Sequence, residues 1–600
     1  MVNAVIERVT QRIIERSKAT REAYLKRMQT QYGKRVQRAQ LACTNLAHVV
    51  AAEDDKTKIR LKTIENPNIG IVTAYNDMLS AHQPYYRYPE LIKDIAAQHG
   101  ATAQVAGGVP AMCDGVTQGQ VGMELSLLSR EVIAMATAVS LSHNVFDGVI
   151  CLGICDKIVP GLLIGALTYG YLPTIFIPSG PMPSGISNKE KTETRKLFAE
   201  GKVGSDALLE SELKSYHAPG TCTFYGTANT NQMMMEILGL HIPSAAFIHP
   251  NTPLRTEISK RAVEQIIKNT AQRENFTPLC EIVTEKSIVN AIVGLLATGG
   301  STNHTLHIPA IAKVAGIQVT WDDFAELSSV VPLLAKVYPN GAADVNQFHA
   351  AGGMAYIIEQ LLAGGYLHDD VKTVMGTGLQ EYTKYAILDN DHLAWINAFN
   401  DDNNILSSAN NPFSHEGGVR LLQGNLGRSV SKISAIAEEH RYVKAPAAVF
   451  SSQDDVLAAY KAGQLNRDVI VVLKYQGPRA NGMPELHKLI PALLSLQDQG
   501  YHVALVTDGR MSGASGKVPN AIHLTPEAII NSTLAKVQDG DIIELDLNHG
   551  KLQLHVTAED LANRQVVEHD LSANQVGFGR ELFNNLRANL SESELGATLF

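Results

Sequence analysis

Three cysteines stand in glycine-rich stretches: Cys113 in GGVPAMCDGVTQG, Cys155 in GICDK and Cys222 in APGTCTFYGTANTN. Glycine lets backbone approach a ligand closely. Asp114 and Asp156 directly follow the first two cysteines, and Lys157 follows Asp156. Thiolates are soft ligands suited to an iron–sulfur cluster, whereas carboxylates are hard ligands suited to Mg2+ or Mn2+. Crowding both kinds together suggests a mixed centre rather than one metal. Plainer readings stay open: the thiols could be unrelated packing residues, and an Asp in a turn commonly bonds its own backbone. The wide spacing, without a CxxC pair, is poor for a zinc ribbon. Cys151 lies inside an apolar run and reads as core, while Cys43 and Cys280 stand apart.

Two further stretches carry reactive or oxygen-binding side chains. ATGGSTNHTLH, residues 297–307, includes Ser301, Thr302 and Asn303 and suits hydroxyl or phosphate oxygens, although such loops also occur as plain turns. ALVTDGRMSGASG, residues 504–516, places Asp508, Arg510 and Ser512 just beyond an apolar run. It lacks the GxxxxGK[ST] spacing of a nucleotide loop, and Gly376-Thr377-Gly378 lacks the third glycine of a dinucleotide fingerprint. An NTPase or an NAD enzyme has no support here.

The elements that must position these residues follow from periodicity. Residues 146–177 read as strand, turn, helix and strand, with the helix at Leu162–Tyr169 and the second strand at Thr174–Ile177. The turn at residues 153–157 is therefore where open α/β sheets place ligands. Residues 1 to about 60 look helical. From Ile69 to about Leu388, strand-like and helix-like runs alternate, as in βαβ units with a largely parallel sheet. An Asn-, Asp- and Ser-rich segment, about 389–418, reads as a linker. Beyond it come AAVF, DVIVVLKYQG, HVALVTDG, DIIELDL and KLQLHV, which suggest a smaller β-rich, barrel-like domain. The expected organisation is an α/β domain over residues 1–395, with a helical N-terminal segment, and a β-rich domain over 396–600 carrying Glu485 and Ser512.

A chain of 600 residues should hold more than one core. Its net charge of -9 and lack of a long basic run argue against nucleic acid, with the basic residues between Arg8 and Arg38 expected on solvated helix faces. No apolar run is long enough to span a membrane, and the charged start does not read as a signal peptide. Six cysteines make no disulfide framework, so a cytoplasmic chain with reduced thiols is expected.

CDKIVPGLLIGA and ALVTDGRMSGAS resemble the two signatures of the dihydroxy-acid and phosphogluconate dehydratase family. The similarity extends through YNDMLSAH, GGVPAMCDGVTQGQ, TCTFYGTANTNQMM, GGSTNHTLH and NGMPELHKL, nearly the whole chain. The resemblance implies an iron–sulfur cluster, [4Fe-4S] in kind, held by Cys155 and Cys222. The dihydroxy-acid branch draws its third cysteine from a stretch that here ends in Ala81, so Cys113 is inferred to replace it. A divalent cation, Mg2+ or Mn2+, is implied at Asp114, Asp156, Glu485 and a carbamylated Lys157. Ser512 is the implied base, its alkoxide stabilised by the metal or by Arg510, with His82, His217 or His304 next in line. The implied reaction eliminates water from 6-phospho-D-gluconate to give 2-dehydro-3-deoxy-6-phospho-D-gluconate, the Entner–Doudoroff step. Lys189, Lys191 and Arg510, with the turn at residues 179–185, are expected to hold the phosphate, and a homodimer is expected. Rival readings are a dehydratase of another sugar acid or a branched dihydroxy acid, a zinc-dependent hydrolase, and a non-catalytic metabolite-binding relative.

Overall fold

The computed structural model describes residues 2–32, 36–513, 515–566 and 569–600. Its first half is organised on a four-stranded parallel sheet: β1 (Asn68–Thr73), β2 (Thr102–Gly108), β3 (Gly148–Leu152) and β4 (Thr174–Phe176), in the order β2-β1-β3-β4. β3, sequence GVICL, is buried at every position. A strand covered on both faces reads as a continuous apolar run, which is why this one was legible.

β3 feeds through residues 153–157 into the helix Ile158–Leu167, which is buried along its whole length. It starts four residues earlier than the expected Leu162, because Pro160 fits the first turn, where its missing N–H leaves no bond unmade. Gly161 and Gly165 lie one turn apart on the face packed against the helix Ser126–Leu141. A Cβ on Gly161 would stand 2.8 Å from the Arg130 carbonyl oxygen, and one on Gly165 would stand 2.7 Å from that of Ala134. The two glycines thus let the helix backbones come together.

Past Phe176 the expected strand–helix alternation does not continue. Between Asn188 and Ala363 the regular elements of the described residues are helices. Glu285–Thr298 shows why: it is buried from Ser287 to Thr298, and a helix without a polar face cannot be told from a buried strand by periodicity. The segment expected to be a linker is also built in. Lys384–Asp389 and His392–Asn397 form a hairpin turning on Asn390 and Asp391, both at positive φ, which explains their residue types. Leu406 and Ser414 then bridge to Ala335 and Leu333.

The second half is a closed barrel of eight strands: β5 (Val419–Gly424), β6 (Gly427–Lys432), β7 (Tyr442–Phe450), β8 (Val469–Leu473), β9 (Val503–Thr507), β10 (Asn520–Thr525), β11 (Ile542–Asp546) and β12 (Lys551–Leu554). They run β6-β10-β9-β8-β7-β11-β12-β5 around the barrel. Alternate residues, such as Ile470 and Val472, Ala504 and Val506, fill its interior. Their neighbours Val469, Val471, Val503 and Leu505 face outward into the larger core shared with the first half. The barrel thereby packs on the α/β part through one wall.

The N-terminal basic residues divide: Lys18, Lys26 and Arg27 are on solvated faces as expected, whereas others meet carboxylates or the core. Arg12 reaches Asp323 at 2.8 Å, Arg8 and Arg12 pair with Glu326, and Arg16 pairs with Asp323. Arg21 and Arg38 are buried, each bonded to backbone carbonyls of the first half; Lys34 and Arg35 lie outside the described residues. Basic residues at helical spacing look alike whether they meet water or a carboxylate far off in sequence.

Gly165→Ala should destabilise the protein by about 1–3 kcal/mol through overpacking of the two helices. The readout is the urea midpoint, and an unchanged midpoint would show that the helices separate at no cost.

Candidate functional site

The parallel sheet delivers two of the three loop cysteines beyond the carboxyl ends of its strands. Cys155 follows β3, and its carbonyl accepts the Ile158 amide at 3.0 Å, tying it to the start of the next helix. Cys113 follows β2 and does the same for the one-turn helix Asp114–Thr117, accepting the Val116 amide at 3.0 Å. Cys222 comes from the loop before the helix Thr227–Ile237, held by Asn229, whose side-chain amide donates to the carbonyls of Cys222 (2.7 Å) and Phe224 (2.8 Å).

The three thiols lie close enough to feel one another's charge. Burial, followed by Cys113, Asp156 and Cys222, pushes the Cys155 thiol far above its ordinary value. Burial and Cys113 push Cys222 up to about 12, and burial with Asp156 and Asp114 raises Cys113. Such thiols are not activated nucleophiles, which need a depressed pKa. They become thiolates only when a cation binds them. Ala81, where the dihydroxy-acid branch has its cysteine, is buried, with its carbonyl accepting the Ser179 hydroxyl at 2.6 Å.

Beside the thiols, ligand oxygens of Asp114, Asp156 and Glu485 all lie within 4.8 Å of one another. Two cations of the chain sit among them. Lys157 Nζ donates to Asp114 and, at 3.0 Å, to Asp156. Arg510 donates to Asp114 at 2.9 Å, to Glu485 at 3.2 Å and to the Met483 carbonyl at 2.9 Å. Against the effect of burial, Lys157 and Arg510 hold the Asp114 carboxyl well below the usual carboxylate range. Burial and the charge of Asp114 push Glu485 the other way, to about 7. Three carboxyls so close repel one another, and one stays partly protonated unless more positive charge arrives. The donor set fits a divalent cation.

Glu485 and Arg510 come from the barrel half, and a bridge between their backbones aligns them. Ser512, half-buried, follows Arg510 on the same loop. This loop meets the first half at Gly513: a Cβ there would stand 2.5 Å from Ser301 Oγ and 2.7 Å from the Thr227 amide nitrogen. The loop therefore lies at the N-terminus of the helix Thr227–Ile237, where free amides favour negative charge. Ala514 lies outside the described residues.

The remaining expected site residues fall in different settings. Ser301, Thr302 and Asn303 are buried. Ser301 and Thr227 share a hydrogen bond of 2.9 Å, and the Asn303 amide donates to Thr227 at 3.1 Å. Lys191 is buried over the Tyr216 ring and 3.7 Å from Glu212, and burial and Arg195 push it down to about 8. Lys189 is exposed. His82 and His304 are fully buried, and burial pushes both to about 3, so they are neutral; His217 is exposed.

Sequence reasoning missed the residues that hold the ligand set in place. Ser126 bonds both Asp114 and Arg510, Gln118 donates to Glu485 at 3.3 Å, and Asn231 donates to the Asp156 carbonyl at 2.8 Å. A signal existed for Asn231. Asn229, Thr230, Asn231 and Gln232 are consecutive polar residues on a helix with no exposed face, and such residues persist in a core only where they have partners.

A thiol group beside a carboxylate group, split between a parallel α/β half and a barrel half, defines a metal-dependent enzyme. The chain matches the family models for the dihydroxy-acid/6-phosphogluconate dehydratase N-terminal region over residues 66–382 and C-terminal region over residues 404–597. It is 57% identical over 599 residues to a phosphogluconate dehydratase of Escherichia coli strain K12, covering 100% of this chain and 99% of that one. Identity to the phosphogluconate dehydratase of Zymomonas mobilis is 57% over 598 residues, covering 99% and 98%. A dihydroxy-acid dehydratase of Acetivibrio thermocellus is 33% identical over 518 residues, covering 84% and 89%. The chain belongs to the dihydroxy-acid/6-phosphogluconate dehydratase family and is an enzyme of the hydro-lyase class.

Asp156→Asn should weaken divalent-cation binding about tenfold or more, measured by titrating Mn2+ into the purified protein under electron paramagnetic resonance. Undiminished affinity would place the cation elsewhere.

Proposed function

We propose that this enzyme eliminates water from 6-phospho-D-gluconate, giving 2-dehydro-3-deoxy-6-phospho-D-gluconate, as the Entner–Doudoroff dehydratase of its cell. The observation that carries the reading is the convergence of three metal-hungry thiols beside three mutually repelling carboxyls. The two groups fit an iron–sulfur cluster on Cys113, Cys155 and Cys222, and Mg2+ or Mn2+ on Asp114, Asp156, Glu485 and a carbamylated Lys157. Similarity to phosphogluconate dehydratases over the full chain supports the choice of substrate over a branched dihydroxy acid. A soluble cytoplasmic homodimer is part of the same proposal.

Bound there, the metals supply Lewis acidity for the C3 hydroxyl and neutralise the charge that grows at the substrate carboxylate. The chain's own residues do the rest. Ser512 takes the C2 proton, and a serine can do so only as an alkoxide. Arg510 adds positive charge two residues away, and the free amides at the start of the helix Thr227–Ile237 lie against the same loop. Ser126 keeps Arg510 and Asp114 aligned, so the guanidinium cannot swing into the substrate's place. Loss of the C3 hydroxyl leaves an enol, which tautomerises to the 2-keto acid. Lys191, buried and close enough to feel the charge of Cys222, is a proposed substrate contact, with Lys189 and the Ser301–Thr302–Asn303 loop.

Oxygen-free protein should contain iron and inorganic sulfide and dehydrate 6-phosphogluconate; zinc in place of iron would overturn the cluster. Cys222→Ser should remove iron and activity together, by metal analysis and turnover. Ser512→Ala should keep the iron and lose kcat by at least about 100-fold; a near-normal kcat would remove Ser512 as base.

A further inference from the structure

Lys432 ends β6 on the barrel wall that faces the first half. Residues two apart on a strand share a face. Arg428 pairs with Asp322 of the helix Trp321–Ser328, and Val430 belongs to the core shared between the halves. Lys432, next in that row, points the same way. Its ladder partner is Val419, and the preceding Gly418 is so near the first half that a Cβ there would stand 3.1 Å from Gly299 Cα. On the other side, a Cβ on Gly516 would stand 3.2 Å from Lys432 Cδ. Lys432 thus lies between the loop that carries Ser301–Asn303 and the loop that carries Ser512.

Lys432 is 1% exposed, and its Nζ has no hydrogen-bond partner among the described residues. A buried ammonium without a partner is costly, and burial alone pushes this one down to about 7. Where a chain keeps such a group between two active-site loops, an incoming anion is the natural partner. Lys517, one residue past Gly516, is exposed and sits 5.8 Å over the ring of Tyr338, whose hydroxyl shares a hydrogen bond of 3.3 Å with Thr192. A second cation therefore borders the same loop on its solvent side.

We propose that Lys432, with Lys517 at the rim, forms the subsite for the substrate's phosphate. This rests on the substrate reading above, and it assigns the phosphate to the barrel wall while the thiols and carboxylates take the sugar-acid end. A dianionic phosphate would give Lys432 the counter-charge the fold withholds.

The test uses the metal-loaded enzyme. Lys432→Met should raise KM for 6-phosphogluconate about 10- to 100-fold with kcat within about threefold, the size expected for one charged hydrogen bond. Lys432→Arg should recover part of the loss. The variant should melt no lower than the parent, since an unpaired buried charge has been removed. Calorimetric titration with inorganic phosphate should show a site in the parent that Lys432→Met lacks. An unchanged KM, a fall in kcat alone, or phosphate binding that is absent from the parent or equal in both proteins overturns the subsite. Failure of the parent to turn over 6-phosphogluconate would instead overturn the substrate reading, and the phosphate titration still decides Lys432.

Discussion

The constraint on which the rest of this structure depends is negative charge collected in a largely buried place. Asp114 and Glu485 are buried, Asp156 is half-buried, and three thiols that would ionise on binding metal stand beside them. Such a collection cannot persist without cations. The chain supplies two, Lys157 and Arg510, both paired with the same carboxylate oxygen of Asp114. They satisfy Asp114 but leave Glu485 near neutrality and the thiols protonated. The fold has thus been arranged for positive charge beyond its own.

That requirement explains the architecture around it. Cations and ligands must be held in place, so each is tied to the end of a regular element or pinned by hydrogen bonds to its neighbours. Cys155 and Lys157 sit where β3 passes into a helix clamped by Gly161 and Gly165, and Asp114 opens a helical turn. Arg510 and Glu485 are aligned by a backbone bridge, and Arg510 also donates to the Met483 carbonyl. Ser126 and Asn231 then fix the carboxylate loops from behind.

How much of this was legible depends on whether the information was local. β3 and the turn after it could be read because a fully buried strand followed by Gly and a helix start leaves a local trace. Buried helices such as Glu285–Thr298 could not, since burial on all sides erases the period that distinguishes helix from strand. β5, β6 and β10 went unseen for a related reason: VRLLQG and GRSVSK mix apolar and polar residues too evenly to stand out. Among the site residues, those with reactive chemistry were named from residue type and resemblance. Ser126, Gln118 and Lys432 were not, because a serine, a glutamine and a lysine say nothing until the partner, or the lack of one, is known.

One feature of the site has a bearing on how the enzyme comes into being. The thiols and two of the carboxyls belong to the first half, while Glu485 and Arg510 belong to the barrel. On the ribosome the first set emerges before the second, at a stage when no guanidinium restrains Asp114. The carboxyl group of three is therefore complete only once the barrel has been made and has closed on the first half. Closure of the barrel then acts as the latch.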